Sequence, residues 1–333
     1  MILHLNSSVD ENKANAIGEE IKGIVFKNEN DQFVVVTSSK MKEVPAAVKN
    51  DVETSYAFET DIQLASKDYI NGTRTVKIGD VSIGGDTGNT LVIAGPCSVE
   101  SESQIQQSSE LLLKNNLTTL RGGCYKPRTS PYSFQGLGVE GLKLLAKMRE
   151  QHGLNVITEV RDATQIDEVI AYTDVVQVGA KAMYDQGILR RCAEIKKPIL
   201  IKRGFGTTLQ EFVQAAEFVL SGGNPNVILC ERGIRTFETK TRFTLDLCGV
   251  AFLKEHTNLP VVLDPSHAMG YAYGIADLTR ACTAMGVDGL LIEVHPTPEK
   301  ALSDAAQQLN HDQFESLLKT LDPVAKAVNR NII

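Results

Sequence analysis

Eight short runs of apolar, β-rich residues recur through the later part of the chain: LVIAG (91–95), TTLRGG (118–123), NVITEV (155–160), DVVQVGA (174–180), PILIKRG (198–204), NVILCERG (226–233), LPVVLDPS (259–266) and DGLLIEVH (288–295). No other feature limits the possible folds as strongly. Between the runs lie amphipathic or Ala/Leu-rich stretches of helical type, such as SESQIQQSSELLLKNN, TLQEFVQAAEFVLSGG and ADLTRACTAMG. Apolar strands that alternate with helices indicate a parallel sheet covered on both faces. Eight such units in ~240 residues fit an α/β fold, the closed (β/α)8 TIM barrel. The alternative is a doubly wound open sheet. It expects a glycine-rich nucleotide turn after its first strand, and GPCSVE is not one.

Residues 1–65 read as a smaller α+β unit ahead of the barrel, which takes residues 66–333 together with a short β-hairpin. MILHL suggests a strand. DENKANAIGEEIKGI places Ala14, Ile17, Ile21 and Ile24 at helical spacing. GIVFKN and QFVVVTS flank the turn-prone NEND and suggest a hairpin. EVPAAVKN is expected to form a short helix with Pro45 near its start, and VETSYAF a last strand. The order βαββαβ is that of a ferredoxin-like module. TRTVKIG and VSIGG, split by Gly79-Asp80, form the hairpin before the barrel.

The net charge of −7 gives no support for general nucleic-acid binding, although local basic clusters can still hold small anions. No apolar stretch approaches the ~18 residues of a membrane span. The N-terminal MILHLNSSVDENK lacks the charged start and long apolar core of a signal peptide, so a cytoplasmic location is expected. The six cysteines, Cys97, Cys124, Cys192, Cys230, Cys248 and Cys282, form no CxxC pair. Free thiols in a reducing compartment follow.

A barrel carries its active site at the C-terminal ends of its strands, and those ends are polar here. The first run leads to Cys97, and the second to Arg121 and CYKPRTSPYSFQG. The third ends at Thr158-Glu159, and the fourth at Gln177 and Ala180-Lys181. The fifth ends at Lys202-Arg203, the sixth at Glu231-Arg232, the seventh at Asp264-Pro265-Ser266-His267, and the eighth at Glu293 and His295. Closure makes the first and eighth strands neighbours and sets the seventh beside the eighth. Cys97, His267 and Glu293 then meet, and Asp304 in the following segment can reach the same place. Thiolate, imidazole and two carboxylates suit Mn²⁺, Fe²⁺, Co²⁺ or Zn²⁺. The plainer reading is a core cysteine, a His–Glu hydrogen bond and an exposed Asp. His295 shares the facing of Glu293 and could equally support a ligand from behind. Arg121, Lys126, Arg128, Lys181, Lys202, Arg203 and Arg232 converge on the same mouth, with hydroxyls at Thr129 and Ser130. Such groups recognise phosphate and carboxylate. Glu159, Glu231 and Asp264 can neutralise some of the cations but not all. Two clusters, one near Lys202 and Arg232 and one at KPRTS, point to two anionic groups.

AGPCSVES, LRGG-x-x-KPRTSPYSFQGLG, TEV, KRG, NVILCERGIRTFETKTRFTLDL, LPVVLDPSHAMG and IEVHPTPEKALSDAAQQL together resemble the 3-deoxy-D-arabino-heptulosonate 7-phosphate (DAHP) synthase family. The likeness is to its shorter microbial subclass with a ferredoxin-like N-terminal extension. It covers almost the whole chain, although the N-terminal unit matches only by pattern and by LASKDY. The resemblance implies condensation of phosphoenolpyruvate with erythrose 4-phosphate and release of phosphate, the first step toward aromatic amino acids. It implies a divalent metal on Cys97, His267, Glu293 and Asp304. It implies that Arg121, Lys126, Lys202 and Arg232 hold the phosphate and carboxylate of phosphoenolpyruvate. Arg128 and Thr129, with Ser130 nearby, would hold the phosphate of the sugar. Ala180, Lys181 and Asp264 complete the expected substrate-binding set. Lys126 is the candidate proton donor, with His267 or a metal-bound water as rivals; Cys97 enters catalysis as a ligand.

One departure falls in the site. The family pattern GARNMQN is GAKAMYD here, residues 179–185. Lys181 keeps the charge of the expected arginine but loses its fork. Ala182 and Asp185 replace two asparagines, and Asp185 adds negative charge near an anion site. Two rival readings are the sister enzyme that makes 3-deoxy-D-manno-octulosonate 8-phosphate from arabinose 5-phosphate, and a non-catalytic regulatory protein. KPRTS argues against the sister, which resembles KANRSS at that place. The subclass further implies feedback inhibition by an aromatic amino acid at the N-terminal unit and a homo-oligomer, a tetramer being favoured.

Overall fold

The computed structural model describes residues 1–126 and 130–333. Arg128 and Thr129 lie outside the described residues. Strands β1 (Ile2–Leu5), β2 (Ile24–Lys27), β3 (Phe33–Val36) and β4 (Val52–Tyr56) form one antiparallel sheet in the order β2-β3-β1-β4. The helix Glu11–Ile21 follows β1. The Asp10 side chain caps it by accepting the Lys13 N–H at 2.8 Å. Its buried face, Ala14, Ile17 and Ile21, packs on Leu3, Leu5 and Val35 of the sheet.

The helix expected over EVPAAVKN is absent. The segment runs as turns and ends in a single 3-10 turn, Lys49–Asp51. Pro45 donates no backbone hydrogen bond, and so short a segment cannot repay helix nucleation. Val48 alone anchors it as a fully buried side chain of that core.

The segment after β4 is fastened to the barrel by the Asn258 side chain, which donates to the Leu64 and Ser66 carbonyls at 2.9 and 2.8 Å, and by one carboxylate. Glu217, on the helix Leu209–Leu220, accepts the backbone N–H groups of Gln63 at 2.7 Å, Ala65 at 2.8 Å and Leu64 at 3.2 Å. Glu217→Ala removes the acceptor these donors share. The variant is expected to lose about 1–3 kcal/mol of stability and to exchange the amide protons of residues 63–65 faster than the wild type. Hydrogen exchange read residue by residue checks this, and unchanged protection there would sink it.

Hairpin strands β5 (Thr75–Ile78) and β6 (Val81–Gly84) pair antiparallel, as expected. All eight expected barrel strands follow: β7 (Asn89–Gly95), β8 (Thr119–Arg121), β9 (Asn155–Val160), β10 (Val175–Val178), β11 (Ile199–Lys202), β12 (Val227–Glu231), β13 (Val261–Leu263) and β14 (Gly289–Glu293). Each is parallel to the next, and β14 pairs with β7 in register from Gly289↔Leu91 to Glu293↔Gly95. This last pairing closes the barrel and rules out the open sheet. A two-residue strand that the sequence did not suggest, β15 (Asn331–Ile332), adds parallel to β7.

Strand alternation sorts the side chains. Leu91, Ile93, Ile157, Val175, Leu200, Ile228, Val262 and Leu291 point inward and share one core with Val76, Ile78 and Ile83 of the hairpin. Val92, Ala94, Val156, Val176, Ile201, Leu229, Leu263 and Ile292 point outward, into the layer shared with the helices. No helix of the described residues is long and apolar enough to cross a membrane. All six cysteines are free thiols.

Candidate active site at the barrel mouth

Two-residue steps along the inward faces lead from the apolar core to the polar mouth. Ile93 leads to Gly95 and Cys97, Ile157 to Glu159, Leu200 to Lys202, Val262 to Asp264, and Leu291 to Glu293. The same step from Ile228 passes Cys230 to Arg232. Gly95 is required at the turn into Cys97. Its φ is +146°, and a Cβ there would stand 2.2 Å from the Arg121 carbonyl oxygen. The same phase explains why Arg203 is no ligand group. It lies on the opposite face, where its guanidinium is 2.8 Å from both Glu231 and Asp246. The sequence reading counted Arg203 among the converging cations; the structure corrects this.

Cys97, Glu293 and Asp304 offer ligand atoms that all lie within 4.8 Å of one another, with Cys97 and Glu293 fully buried. Cys97 Sγ is 3.4 Å from Asp304 Oδ2. His267 stands beside this group, with Nε2 3.4 Å from Glu293 Oε1. Its Nδ1 lies 2.7 Å from Asp264 Oδ2 without the alignment of a hydrogen bond. Asp264 also caps the short helix Pro265–Met269 by accepting the His267 N–H at 2.9 Å, which fixes where the imidazole starts. His295 is buried, with Nε2 3.5 Å from Glu100 Oε2. It therefore sits behind the group rather than in it.

The electrostatics fit a cation. Burial pushes the Cys97 thiol up to about 11, with Glu293 adding to the shift. Burial lowers the His267 pKa against the pull of Asp264 and Glu293, which favours a neutral imidazole with a lone pair to give. Burial would raise the Glu293 carboxyl, but His267 and the Arg121 guanidinium facing it bring it below its usual range. A soft sulfur, a nitrogen and two carboxylates in contact are a donor set for Mn²⁺, Fe²⁺, Co²⁺ or Zn²⁺.

Two expected anion-binding cations are already paired. Arg121 Nη1 donates to Glu293 Oε1 at 2.8 Å and to the Pro96 carbonyl at 2.7 Å. Lys202 Nζ is 2.6 Å from Asp264 Oδ2. His267 and Lys202 hold that carboxyl well below the usual range despite its burial. Lys126 Nζ is 3.1 Å from both the sulfur and the carbonyl oxygen of Cys97. Burial works against its charge, but Cys97 and Glu293 outweigh this and raise its pKa.

A cavity of about 260 Å³ opens on these groups. It is lined by Lys126, Glu159, Ala180, Lys181, Lys202, Phe205, Arg232, Arg235, Arg242, Phe243, His267 and Asp304. Arg232 is buried, and its Nη1 has no hydrogen-bond partner among the described residues. Its guanidinium lies 4.3 Å from the centroid of Phe243. Phe243 stacks on Phe205 at 5.5 Å, and Arg235 lies over Phe205 at 4.7 Å. Phe243 covers the Arg232 guanidinium, and Phe205 backs Phe243. Phe243→Leu is therefore expected to weaken binding of inorganic phosphate by roughly 2- to 30-fold, the equivalent of a cation–π contact. Isothermal titration checks it; an unchanged affinity would remove the rings from the anion site.

Of the departures from the family pattern, Lys181 lines the cavity and Ala182 is buried. Asp185 caps the helix Gln186–Ala193 by accepting the Ile188 N–H at 3.1 Å, so its charge serves a helix end. Ser130 accepts the Tyr132 N–H at 3.3 Å within its own turn. Sequence reasoning missed Phe205, Arg235, Arg242, Phe243, Gln307 and Gln308. All lie beyond the strand ends, in loops or, for Gln307, in the 3-10 turn Ala305–Gln307, where alternation no longer says which way a side chain points.

A family model described as the DAHP synthetase I family matches residues 58–330. The phospho-2-dehydro-3-deoxyheptonate aldolase of Thermotoga maritima is 41% identical over 266 residues, covering 80% of this chain and 78% of its own. The 2-dehydro-3-deoxyphosphooctonate aldolase of Syntrophotalea carbinolica is 33% identical over 277 residues, covering 77% of this chain and 98% of its own. The crystal structure of the Thermotoga maritima DAHP synthase matches 100% of this chain and 99% of its own, with a TM-score of 0.81 at 35% identity. A truncated form of the Thermotoga maritima enzyme matches 81% of this chain and 98% of its own, with a TM-score of 0.75 at 37% identity.

Proposed function

The chain belongs to the DAHP synthetase I family, and from that premise we propose that it condenses phosphoenolpyruvate with erythrose 4-phosphate to give DAHP and inorganic phosphate. One observation carries the reading at the site. A cavity joins a largely buried donor set fit for a divalent metal to a buried guanidinium whose Nη1 has no partner among the described residues. One reactant must be bound as an anion, and the other must present an aldehyde oxygen to a cation.

Arg232 and Lys181 take the phosphate of phosphoenolpyruvate, with Lys202 held in place by Asp264. Lys126 and Arg121 sit nearest the metal ligands, where the carboxylate belongs. Ala180 borders the same cavity. Arg128 and Thr129, beside Ser130, take the phosphate of the sugar. Cys97, His267, Glu293 and Asp304 hold the metal, which when bound supplies Lewis-acid polarisation of a carbonyl oxygen. The new carbon–carbon bond joins the methylene carbon of phosphoenolpyruvate to the aldehyde carbon. Water adds to the former enol carbon, and phosphate leaves with the bond electrons of its C–O link. Lys126, whose pKa Cys97 and Glu293 raise against its burial, is the proton donor to the alkoxide that the aldehyde becomes.

The N-terminal sheet with its single helix has the strand order of a ferredoxin-like module that lacks its second helix. We assign it to residues 1–65 and the barrel to 66–333. The full-length Thermotoga maritima structure matches the whole chain, whereas the truncated form matches 81%, which supports the subclass with that extension. In this reading the module carries inhibition by an aromatic amino acid, the protein assembles as a tetramer, and it works in the cytoplasm.

The test is phosphate release from phosphoenolpyruvate by metal-loaded protein, with erythrose 4-phosphate or arabinose 5-phosphate, with and without a chelator. Chelator-sensitive release with the four-carbon sugar is expected. Release with the five-carbon sugar alone would move the protein to the activity named for its 2-dehydro-3-deoxyphosphooctonate aldolase relatives. No release with either would favour a non-catalytic role.

A further inference from the structure

Two adjacent glutamines touch the metal-competent group from one side. Gln307 and Gln308 are 2% and 1% exposed. Gln307 Nε2 donates to Glu293 Oε2 at 2.5 Å, while its Oε1 accepts from Arg242 at 2.7 Å. The other oxygen of Glu293 is the one that accepts from Arg121. The carboxylate is thus fixed at both oxygens.

Gln308 spans a different gap. Its Oε1 accepts the Cys97 N–H at 2.9 Å, and its Nε2 donates to the Ser303 carbonyl at 2.9 Å. The hydroxyls of Ser98 and Ser303 also bond to each other. The chain at Cys97 is thereby tied to the residue just before Asp304. Asp304 itself has φ 44° and ψ 39°, a left-handed conformation uncommon for a residue with a side chain. The glutamines are placed by the segment after them. The Leu309 N–H bonds to the Glu293 carbonyl at 3.0 Å, and the His295 N–H to the Leu309 carbonyl at 2.9 Å. Carboxamides suit this position because they donate and accept at once and add no charge beside two carboxylates and a thiol.

We propose that Gln307 and Gln308 are positioning residues for the divalent metal: Gln307 sets the orientation of Glu293, and Gln308 sets the separation of Cys97 from Asp304. This rests on the assignment of Cys97, His267, Glu293 and Asp304 as the ligands. Groups that orient metal ligands typically govern affinity by roughly 10- to 100-fold.

The test is titration of the full chain with Co²⁺, read by the thiolate-to-metal absorption band, for wild type, Gln307→Leu and Gln308→Leu. The melting temperature of each metal-free protein is measured alongside. The wild type is expected to give the band, and each variant to bind Co²⁺ roughly 10- to 100-fold more weakly with little change in metal-free melting. Gln307→Met and Gln308→Met, which fill the same length with a flexible apolar chain, replace any leucine variant that fails to fold. Wild-type Co²⁺ affinity in folded variants, with or without lowered melting, would overturn the proposal and make the pair structural. Absence of the band in the wild type would instead sink the ligand assignment on which it rests.

Discussion

Cys97→Ala should leave a folded barrel that neither keeps a divalent metal nor turns over. The thiol is fully buried, 3.4 Å from Asp304 and 3.1 Å from the Lys126 ammonium. Removing one sulfur atom from so small a side chain costs on the order of 1 kcal/mol of stability, which a large barrel tolerates. Removing a ligand costs metal affinity by more than the ~100-fold that losing a ligand's supporting partner can cost. The pH dependence has a definite sign. Burial pushes the thiol up to about 11, so binding a metal at neutral pH must expel the proton of Cys97. Wild-type affinity therefore rises with pH, by up to about tenfold per unit while the thiol remains protonated. Metal content after dialysis and Co²⁺ titration at several pH values read both effects. A Cys97→Ala protein with full metal and full activity would return this cysteine to the plain role of a core residue.

Arg232→Met should separate binding from stability, and in opposite directions. Arg232 is 5% exposed, its Nη1 has no partner among the described residues, and burial lowers its pKa. A buried charge with a donor left open weakens the folded state, so an apolar side chain of similar length should hold or raise the melting temperature. The same change should cost substrate binding about 2–5 kcal/mol, or roughly 30- to 4000-fold in kcat/KM. Lys202→Met is the contrast. It strips the 2.6 Å partner from a fully buried Asp264, and a broken buried pair costs about 3–5 kcal/mol. Thermal unfolding beside steady-state kinetics distinguishes the two. A melting temperature for Arg232→Met well below wild type would mean that Arg232 is structural.

The barrel was legible because its signal is periodic. Eight apolar runs gave eight strands, and counting by twos from Ile93, Leu200, Val262 and Leu291 reaches Cys97, Lys202, Asp264 and Glu293. The same counting would have removed Arg203, which lies one step out of phase and pairs with Glu231. What failed was aperiodic. The helix expected over EVPAAVKN did not form; Val48 entered the core as a fully buried side chain and Val44 only partly. The glutamine pair and the Phe205–Phe243 stack were invisible because a loop side chain takes its direction from tertiary contacts. Asp185 looked like a charge aimed at the anion site, yet the helix that begins at the next residue, Gln186, claims it as its cap.

The β5–β6 hairpin carries a consequence for traffic. Val76, Ile78 and Ile83 fill the inside of the barrel below the polar mouth, packed on Leu91, Ile157, Val175 and Leu291. The vessel is stoppered at one end, so everything enters and leaves by the same opening. Occupants of a blind well form a queue: whatever lies deepest arrives first and departs last. Cys97 and Glu293 lie fully buried at the floor of that mouth, and Lys181 is exposed at its rim.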